Sequence, residues 1–108
     1  MAVLSSVIQG EAAKRRERMH KAVAKNCFEI THTQQFRVVD GEKVVSGKMW
    51  EIFSTHTHKS GRYYIVSQIK TETAKTVVYT WTCTCPDFEQ NGKWVPCKHI
   101  LFVQEGAL

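Results

Sequence analysis

The sequence predicts an α+β fold in which a basic N-terminal helix is followed by an antiparallel β-sheet and a short C-terminal helix. Apolar residues recur at helical spacing near the N terminus, whereas apolar and polar residues alternate through the middle of the chain. Dipeptides that favour tight turns separate the alternating segments. The chain has 108 residues, and this length fits one domain spanning residues 1–108.

Residues 6–26 form the predicted basic helix, because Ala, Glu, Lys, Arg and Met dominate this segment. Ser6, with Gln9 three residues later, resembles a capping box and predicts where the helix begins. The apolar stripe is thin, and it leaves open whether the helix packs on the sheet or projects from it. Its members are Ile8, Ala12, Met19 and Val23.

The middle of the chain predicts two antiparallel hairpins. Asp40-Gly41 and Ser60-Gly61 are the two turn signals. The predicted strands that flank them are 36–39 and 43–46 for the first hairpin, and 50–57 and 62–69 for the second.

A further strand runs into two cysteines. Val77, Tyr79, Trp81, Cys83 and Cys85 alternate with a valine and three threonines. Side chains two residues apart on a strand point to the same face. Both sulfurs are therefore predicted to project toward the core, on the face that carries the two aromatic rings.

The C-terminal part predicts two short elements. Pro86-Asp87-Phe88 starts a loop or a helical turn that ends near Gly92. Residues 97–104 then favour a helix with apolar side chains on one side, and Gly106 stops it.

Four ligand-type residues have the spacing of a zinc site: Cys83-x-Cys85, then eleven residues (86–96), then Cys97-x-His99. Two pairs of close ligands, brought together by a turn, supply the tetrahedron that zinc prefers. A spacing of two does not align ligands within a regular helix, so we expect Cys97 to lie just outside the first helical turn. Because all four positions come from the protein, we predict one structural Zn²⁺.

The alternatives to zinc are a disulfide or free thiols. A bridge between Cys83 and Cys85 would be strained, and the chain shows no signal peptide, which predicts a reducing compartment. If the cysteines were free thiols, the position of His99 two residues after Cys97 would be a coincidence. Three thiolates and one imidazole would give the zinc site a charge of about −1, which Lys98 between two ligands could soften.

These residues resemble the SWIM zinc finger family, which is defined by a C-x-C, variable gap, C-x-H pattern. The similarity extends to the neighbours of the ligands, in TCTCPDF at 82–88 and PCKHIL at 96–101. We assign residues 62–104 to this region. The resemblance implies a C-terminal ββα zinc-bound element, zinc ligation by Cys83, Cys85, Cys97 and His99, and no catalytic residues. It implies DNA binding or protein–protein interaction without choosing between them.

The charge of the chain favours an anionic partner. The formal net charge is +5 and the sequence pI is about 9.2, which favours nucleic acid first. Two other interpretations need no anionic partner: the net charge only keeps the protein soluble, or the charged face of the helix is simply exposed to solvent. The predicted nucleic-acid contacts are Lys14, Arg15, Arg16, Arg18, Lys21, Lys25, Lys93 and Lys98.

These observations predict a non-enzymatic module that binds nucleic acid, with DNA favoured. The alternative is a protein–protein interaction adaptor in recombination, transposition or regulation. We find no nucleophile turn, phosphate-cradling glycine loop or deaminase signature, so neither an enzyme nor a small-molecule substrate is expected. We expect no membrane partner and an intracellular, cytoplasmic location, or a nuclear one in a eukaryotic setting.

The remaining conspicuous residues have ordinary predictions. Cys27 is expected to be a small core residue. His56 and His58 share strand spacing and could bind a second metal, but we predict that they are exposed polar residues. Trp81 is expected in the core, while Trp94 either packs over the zinc site or stacks on a base or a partner's side chain.

Overall fold

The computed structural model describes residues 2–56, 58–92 and 95–106, and describes residues 2–8 through their backbone only. The α+β prediction is confirmed. The elements in chain order are α1 (Ala2–Ala24), β1 (Phe28–Asp40), β2 (Lys43–Ser54), β3 (Arg62–Glu72), β4 (Val77–Cys83), α2 (Pro86–Asn91) and α3 (Lys98–Gly106). The interpretations of Lys93 and Trp94 lie outside the described residues.

The four strands form one antiparallel sheet in the order β1-β2-β3-β4. The first predicted turn is present, since Gly41 adopts φ +60° between β1 and β2. The predicted strand bounds were partly wrong. Strand β1 begins earlier than predicted, at Phe28, and the segments 43–46 and 50–57 form one strand, which ends at Ser54 rather than at residue 57. Gly47 lies within this strand and pairs with Phe36. The Phe36 ring occupies the space beside Gly47, since a Cβ added to Gly47 would lie 2.5 Å from that ring, so a residue without a side chain fits the strand at this point.

The register of the sheet builds the core. Trp50 pairs with Val66, and Val66 pairs with Cys83, so these three side chains form one row across β2, β3 and β4. All three are buried, as is Ile52 two residues after Trp50. The same face therefore packs under the helices and carries the first cysteine into the core.

Helix α1 packs against α3 rather than projecting from the domain. From residue 9 onward, its buried side chains are Arg15, Met19 and Ala22, which the 3.6-residue period places on one face. The predicted stripe was therefore partly wrong, because Val23 is 43% exposed and Ala22 takes its place. The capping box was also wrong: Ser6 lies inside a helix that begins at Ala2.

The two ends of strand β4 differ in how far their side chains are buried. Trp81 stacks on Trp50 with ring centroids 5.8 Å apart and planes 13° apart, as expected for a core residue. Tyr79 lies on the same face but is 57% exposed, so its predicted core position was wrong. The strand extends past the helices, and a side chain on the inner face is buried only where a helix covers it.

Candidate metal centre

The four predicted ligands come together from three elements. Cys83 ends β4, Cys85 is the N-cap residue of α2, Cys97 precedes α3, and His99 lies in the first turn of α3. One potential ligand atom from each lies within 4.8 Å of the other three. All four residues are buried, with relative exposures of 5%, 3%, 0% and 2%.

The distances suit a tetrahedral ion. His99 Nδ1 lies 3.8 Å from Cys83 Sγ and 4.0 Å from Cys97 Sγ. Ligand atoms around zinc, with bonds of 2.0–2.3 Å, lie about 3.5–3.8 Å from one another. The buried Nε2 atom of His99 has no hydrogen-bond partner within the described residues. The distances from Nδ1 to the two sulfurs, rather than the unpartnered Nε2, identify the ring nitrogen that faces the cysteines, so the cluster could hold one zinc ion.

Backbone geometry and packing hold the ligands in place. Phe88 N–H donates to Cys85 Sγ at 3.4 Å, which ties this sulfur to the first turn of α2. Leu101 N–H donates to the Cys97 carbonyl at 3.1 Å, so Cys97 precedes the first turn of α3, as predicted. The imidazole of His99 lies against the rings of Phe28 and Tyr64, with centroids 5.2 Å and 4.6 Å away.

The electrostatics of the three thiols also favour a dication. Hydrogen bonds from Cys83 and Cys97 lower the pKa of Cys85, so one thiolate forms readily. The hydrogen bond to Cys85, together with burial, raises the pKa of Cys83. For Cys97 the hydrogen bond with Cys83 lowers the pKa, but Cys85 and burial outweigh it and raise the pKa to about 12. Three thiolates therefore need a bound cation to coexist.

Arg15 departs most from its sequence-based interpretation. It is 5% exposed, and its guanidinium donates to both carboxylate oxygens of Asp87 at 2.9 and 2.8 Å. A further bond at 2.9 Å joins it to Glu11. The hydrogen bond from Arg15 lowers the pKa of Asp87, which keeps the pair charged. As a buried link between α1 and α2, Arg15 does not offer its charge to solvent, so its prediction as a phosphate contact is withdrawn.

The other predicted cations are placed differently. Ion pairs join Lys14 to Glu11 at 3.3 Å, Arg16 to Glu105 at 2.9 Å and Lys21 to Glu17 at 3.2 Å. Arg18 and Lys25 are exposed.

Lys98, whose pKa is lowered mainly by burial, is half-buried beside the metal cluster. Its Nζ lies 2.9 Å from His56 Nδ1. The sequence indicated the position of Lys98 between two ligands, but it carried no signal for the contact with His56.

The isolated cysteine and histidines lie apart from the four-residue cluster. Cys27 is half-buried, with Sγ 3.9 Å from the Lys25 carbonyl. His56 is half-buried rather than exposed, because it packs edge-on to Phe28 with centroids 6.2 Å apart. His58 is exposed, as predicted. Among the described residues, neither histidine belongs to a group of three or more potential metal ligands.

Comparison with known families identifies the C-terminal segment. Residues 64–103 match the family model of the SWIM zinc finger, which confirms the resemblance drawn from the cysteine and histidine spacing. This indicates a zinc-binding module that takes part in DNA or protein interaction, a class of binding module rather than of catalyst. Neither a curated protein nor a solved structure matches the chain. In the part of the chain described, no helix has the length and apolarity needed to cross a bilayer.

Proposed function

We propose that this chain, with its SWIM-type segment, is a non-enzymatic zinc module that binds nucleic acid, with DNA as the favoured ligand. Cys83, Cys85, Cys97 and His99 hold the ion, which cross-links the end of β4 to α2 and α3. Residues 1–108 act as one domain and 62–104 as its finger. The proposed location is intracellular.

The role of the ion in this proposal is structural. The four donors complete a tetrahedron, so they stabilise the end of β4 against α2 and α3. Apparent zinc affinities of about 10–16 kcal/mol in small finger sites appear largely as folding free energy. A domain of this size gains much from such a cross-link, because its buried core is small.

The observation that carries the nucleic-acid proposal is a row of cations along α1 and the residue that follows it. Lys14, Arg18, Lys21 and Lys25 are exposed and follow one another at steps of four, three and four residues, so they lie along one helix face. The row spans roughly 16 Å at 1.5 Å per residue. This length covers several phosphates of one strand, which rise about 3.4 Å each.

The buried Arg15–Asp87 pair supports this proposal indirectly. It joins α1 to α2, the helix that carries Cys85 at its N-cap. The cation row is thereby held at a fixed position relative to Lys98 and the metal cluster. Contacts to phosphates through such a row would provide affinity with little sequence preference.

A salt titration with matched variants tests the proposal. Replacing Arg18, Lys21 and Lys25 by Ala should reduce the slope of log affinity against log salt by about 2–3, since each phosphate contact contributes roughly 0.9. Binding of labelled double- and single-stranded DNA, measured by fluorescence anisotropy, gives both slopes.

The control carries the same change of charge at the far end of the sheet. Three exposed cations lie at the end of the sheet away from the metal cluster: Arg37 on β1, Lys43 at the start of β2 and Lys75 in the turn between β3 and β4. Replacing these three residues by Ala should change the slope little. Equal losses in the two triple variants would contradict a specific role for the row. No binding at low salt would refute the nucleic-acid function.

A second candidate is a protein-interaction adaptor, which the exposed apolar surface of the sheet favours. Tyr63 and Tyr79 are 62% and 57% exposed, and Val38, Val39, Val77 and Val78 are 53–57% exposed. Isolated apolar residues are normal on a surface, whereas contiguous apolar patches mark interaction sites. The strand register places Val38 and Val78 on one face of the sheet and Val39, Val77 and Tyr79 on the other, so each face carries exposed apolar residues at its far end. The candidate predicts that Val78→Lys weakens binding of a purified protein partner, while the α1 triple variant leaves that binding unchanged.

A further inference from the structure

A cavity opens between α1 and the metal cluster. Its volume is about 260 Å³, and its lining includes Arg18 from α1, His58 from the turn before β3, Tyr64 from β3, Pro86 from α2 and Lys98 from α3. The Arg15–Asp87 pair and two of the zinc ligands complete its wall. Elements distant in sequence therefore meet around one concave site.

The charge of this lining is positive. Arg15, Arg18 and Lys98 contribute three cations, against one carboxylate among the described lining residues, Asp87, and a zinc cluster whose charge would be about −1, so the balance is about +1. Arg15 already binds both oxygens of that carboxylate. Within the described ranges, Arg18 forms no ion pair or hydrogen bond, so its guanidinium remains able to bind an anion.

Arg18 and Lys98 come from different helices, line the same cavity and carry the same charge. An anion placed between them would relieve their repulsion.

We infer that this cavity binds a phosphate group, with Arg18 and Lys98 as its charged contacts. A phosphate offers several oxygens to several donors, and the planar fork of Arg recognises that geometry. The hydroxyl of Tyr64 can add a neutral donor, and Pro86 gives an apolar wall. The inference deepens the proposed function, on which it rests, because it names one anchoring phosphate beside the zinc cluster.

The phosphate has two possible sources in a nucleic acid: a backbone phosphodiester or a terminal phosphate monoester. Three probes distinguish them in binding to the zinc-loaded full chain. They are inorganic phosphate, a short oligonucleotide with a 5′-phosphate, and the same oligonucleotide with a 5′-hydroxyl. Backbone amide shifts measured by NMR locate the binding on the chain.

The test variant is Arg18→Gln, which alters an exposed side chain that lines the cavity. Two controls are Arg37→Gln, which makes the same change far from the cavity, and Lys21→Gln, which alters the same helix row outside the cavity lining. Zinc content and the circular dichroism spectrum verify that each variant is folded. We expect saturable shifts at Tyr64 and Lys98 with inorganic phosphate, and at least a tenfold loss of affinity in Arg18→Gln alone.

The oligonucleotides then identify the source. Tighter binding of the 5′-phosphorylated strand, lost in Arg18→Gln, supports a terminal phosphate. Equal binding of both strands, weakened more by Arg18→Gln than by Lys21→Gln, supports a backbone phosphate. Absence of saturable shifts at the cavity, or equal weakening by all three variants, overturns the inference while leaving the proposed function standing. Phosphate binding without any binding of DNA would instead refute the proposed function and leave the cavity assignment intact.

Discussion

The two halves of the β-sheet share the same strands but differ in what covers them. At the metal end, Trp50, Ile52, Val66 and Cys83 are at most 5% exposed. At the far end, Tyr79, on the same face as Cys83, is 57% exposed. The comparison shows that strand pairing alone extends the sheet, whereas the helices and the metal cluster determine where it has a core.

The difference also predicts how stability is distributed. The far end depends on hydrogen bonds between strands and on cross-strand pairs, which contribute roughly 0.2–1 kcal/mol each. The metal end combines apolar burial with four donors drawn from three elements. Breaking the metal site should therefore disturb the helices and the covered half of the sheet first.

The largest expected effect comes from removal of one zinc ligand. Cys97→Ser should abolish stoichiometric zinc binding and unfold α2 and α3, because zinc affinity in such sites is largely folding free energy. Zinc content by atomic emission and hydrogen exchange resolved by residue would measure both. Amides at the far end of β2 and β3 should lose less protection than those near Cys83.

Cys27→Ser is the matched control, since this half-buried cysteine lies outside the cluster. It should keep zinc and change the midpoint of thermal unfolding little. Unchanged zinc content in Cys97→Ser would contradict the ligand assignment. Acid should have the same effect as Cys97→Ser: protons compete with the ion for the thiolates, so zinc-dependent stability present at neutral pH is lost as the pH falls.

A smaller but clear effect should follow loss of the partly buried ion pair that joins α1 to α2. Arg15→Ala would remove two charge-assisted bonds and leave Asp87 without its cation. We expect a loss of about 2–3 kcal/mol in the free energy of unfolding, measured by urea denaturation of the zinc-loaded protein. Zinc content should remain stoichiometric.

Arg16→Ala gives the contrast on the neighbouring residue. Its ion pair with Glu105 is exposed, so the expected loss is at most about 1 kcal/mol. If both variants lost equal stability, the distinction between a buried link and a surface pair would be wrong.

A difference of similar size is expected between two aromatic residues of one strand face. Trp81→Ala should cost about 2–3 kcal/mol, because the ring stacks on Trp50 in the covered half. Tyr79→Ala should cost less than about 1 kcal/mol, since its ring is exposed and contacts Lys70 at 5.8 Å. Thermal unfolding of the two variants tests this, and a larger loss at Tyr79 would indicate that the far end is covered in solution.

Local patterns in the sequence predicted much of the metal centre and the order of elements. The close spacing within each ligand pair placed Cys97 before a helix and His99 inside it, as the structure has them. The turn at Gly41 and the alternation into Cys83 were equally local signals. The strand ends were less well predicted. No strong breaker lies between Ser46 and Trp50, so the strand continues through this segment, and the packing of the Phe36 ring accommodates the glycine at position 47.

Contacts between distant segments decided the rest. Arg15 resembles its neighbours in a basic run, yet it alone of that run meets Asp87, 72 residues later, and becomes buried. The cavity likewise depends on the docking of α1 beside α3, which brings Arg18 close to Lys98. The sequence by itself determined which three cysteines and which histidine form the cluster that could hold zinc, the basic helix and the α+β order, because each depends on residue types and spacings a few positions apart. Only the tertiary structure decided which cations are buried, which half of the sheet is covered and where a cavity forms, since burial is a property of what packs above a residue.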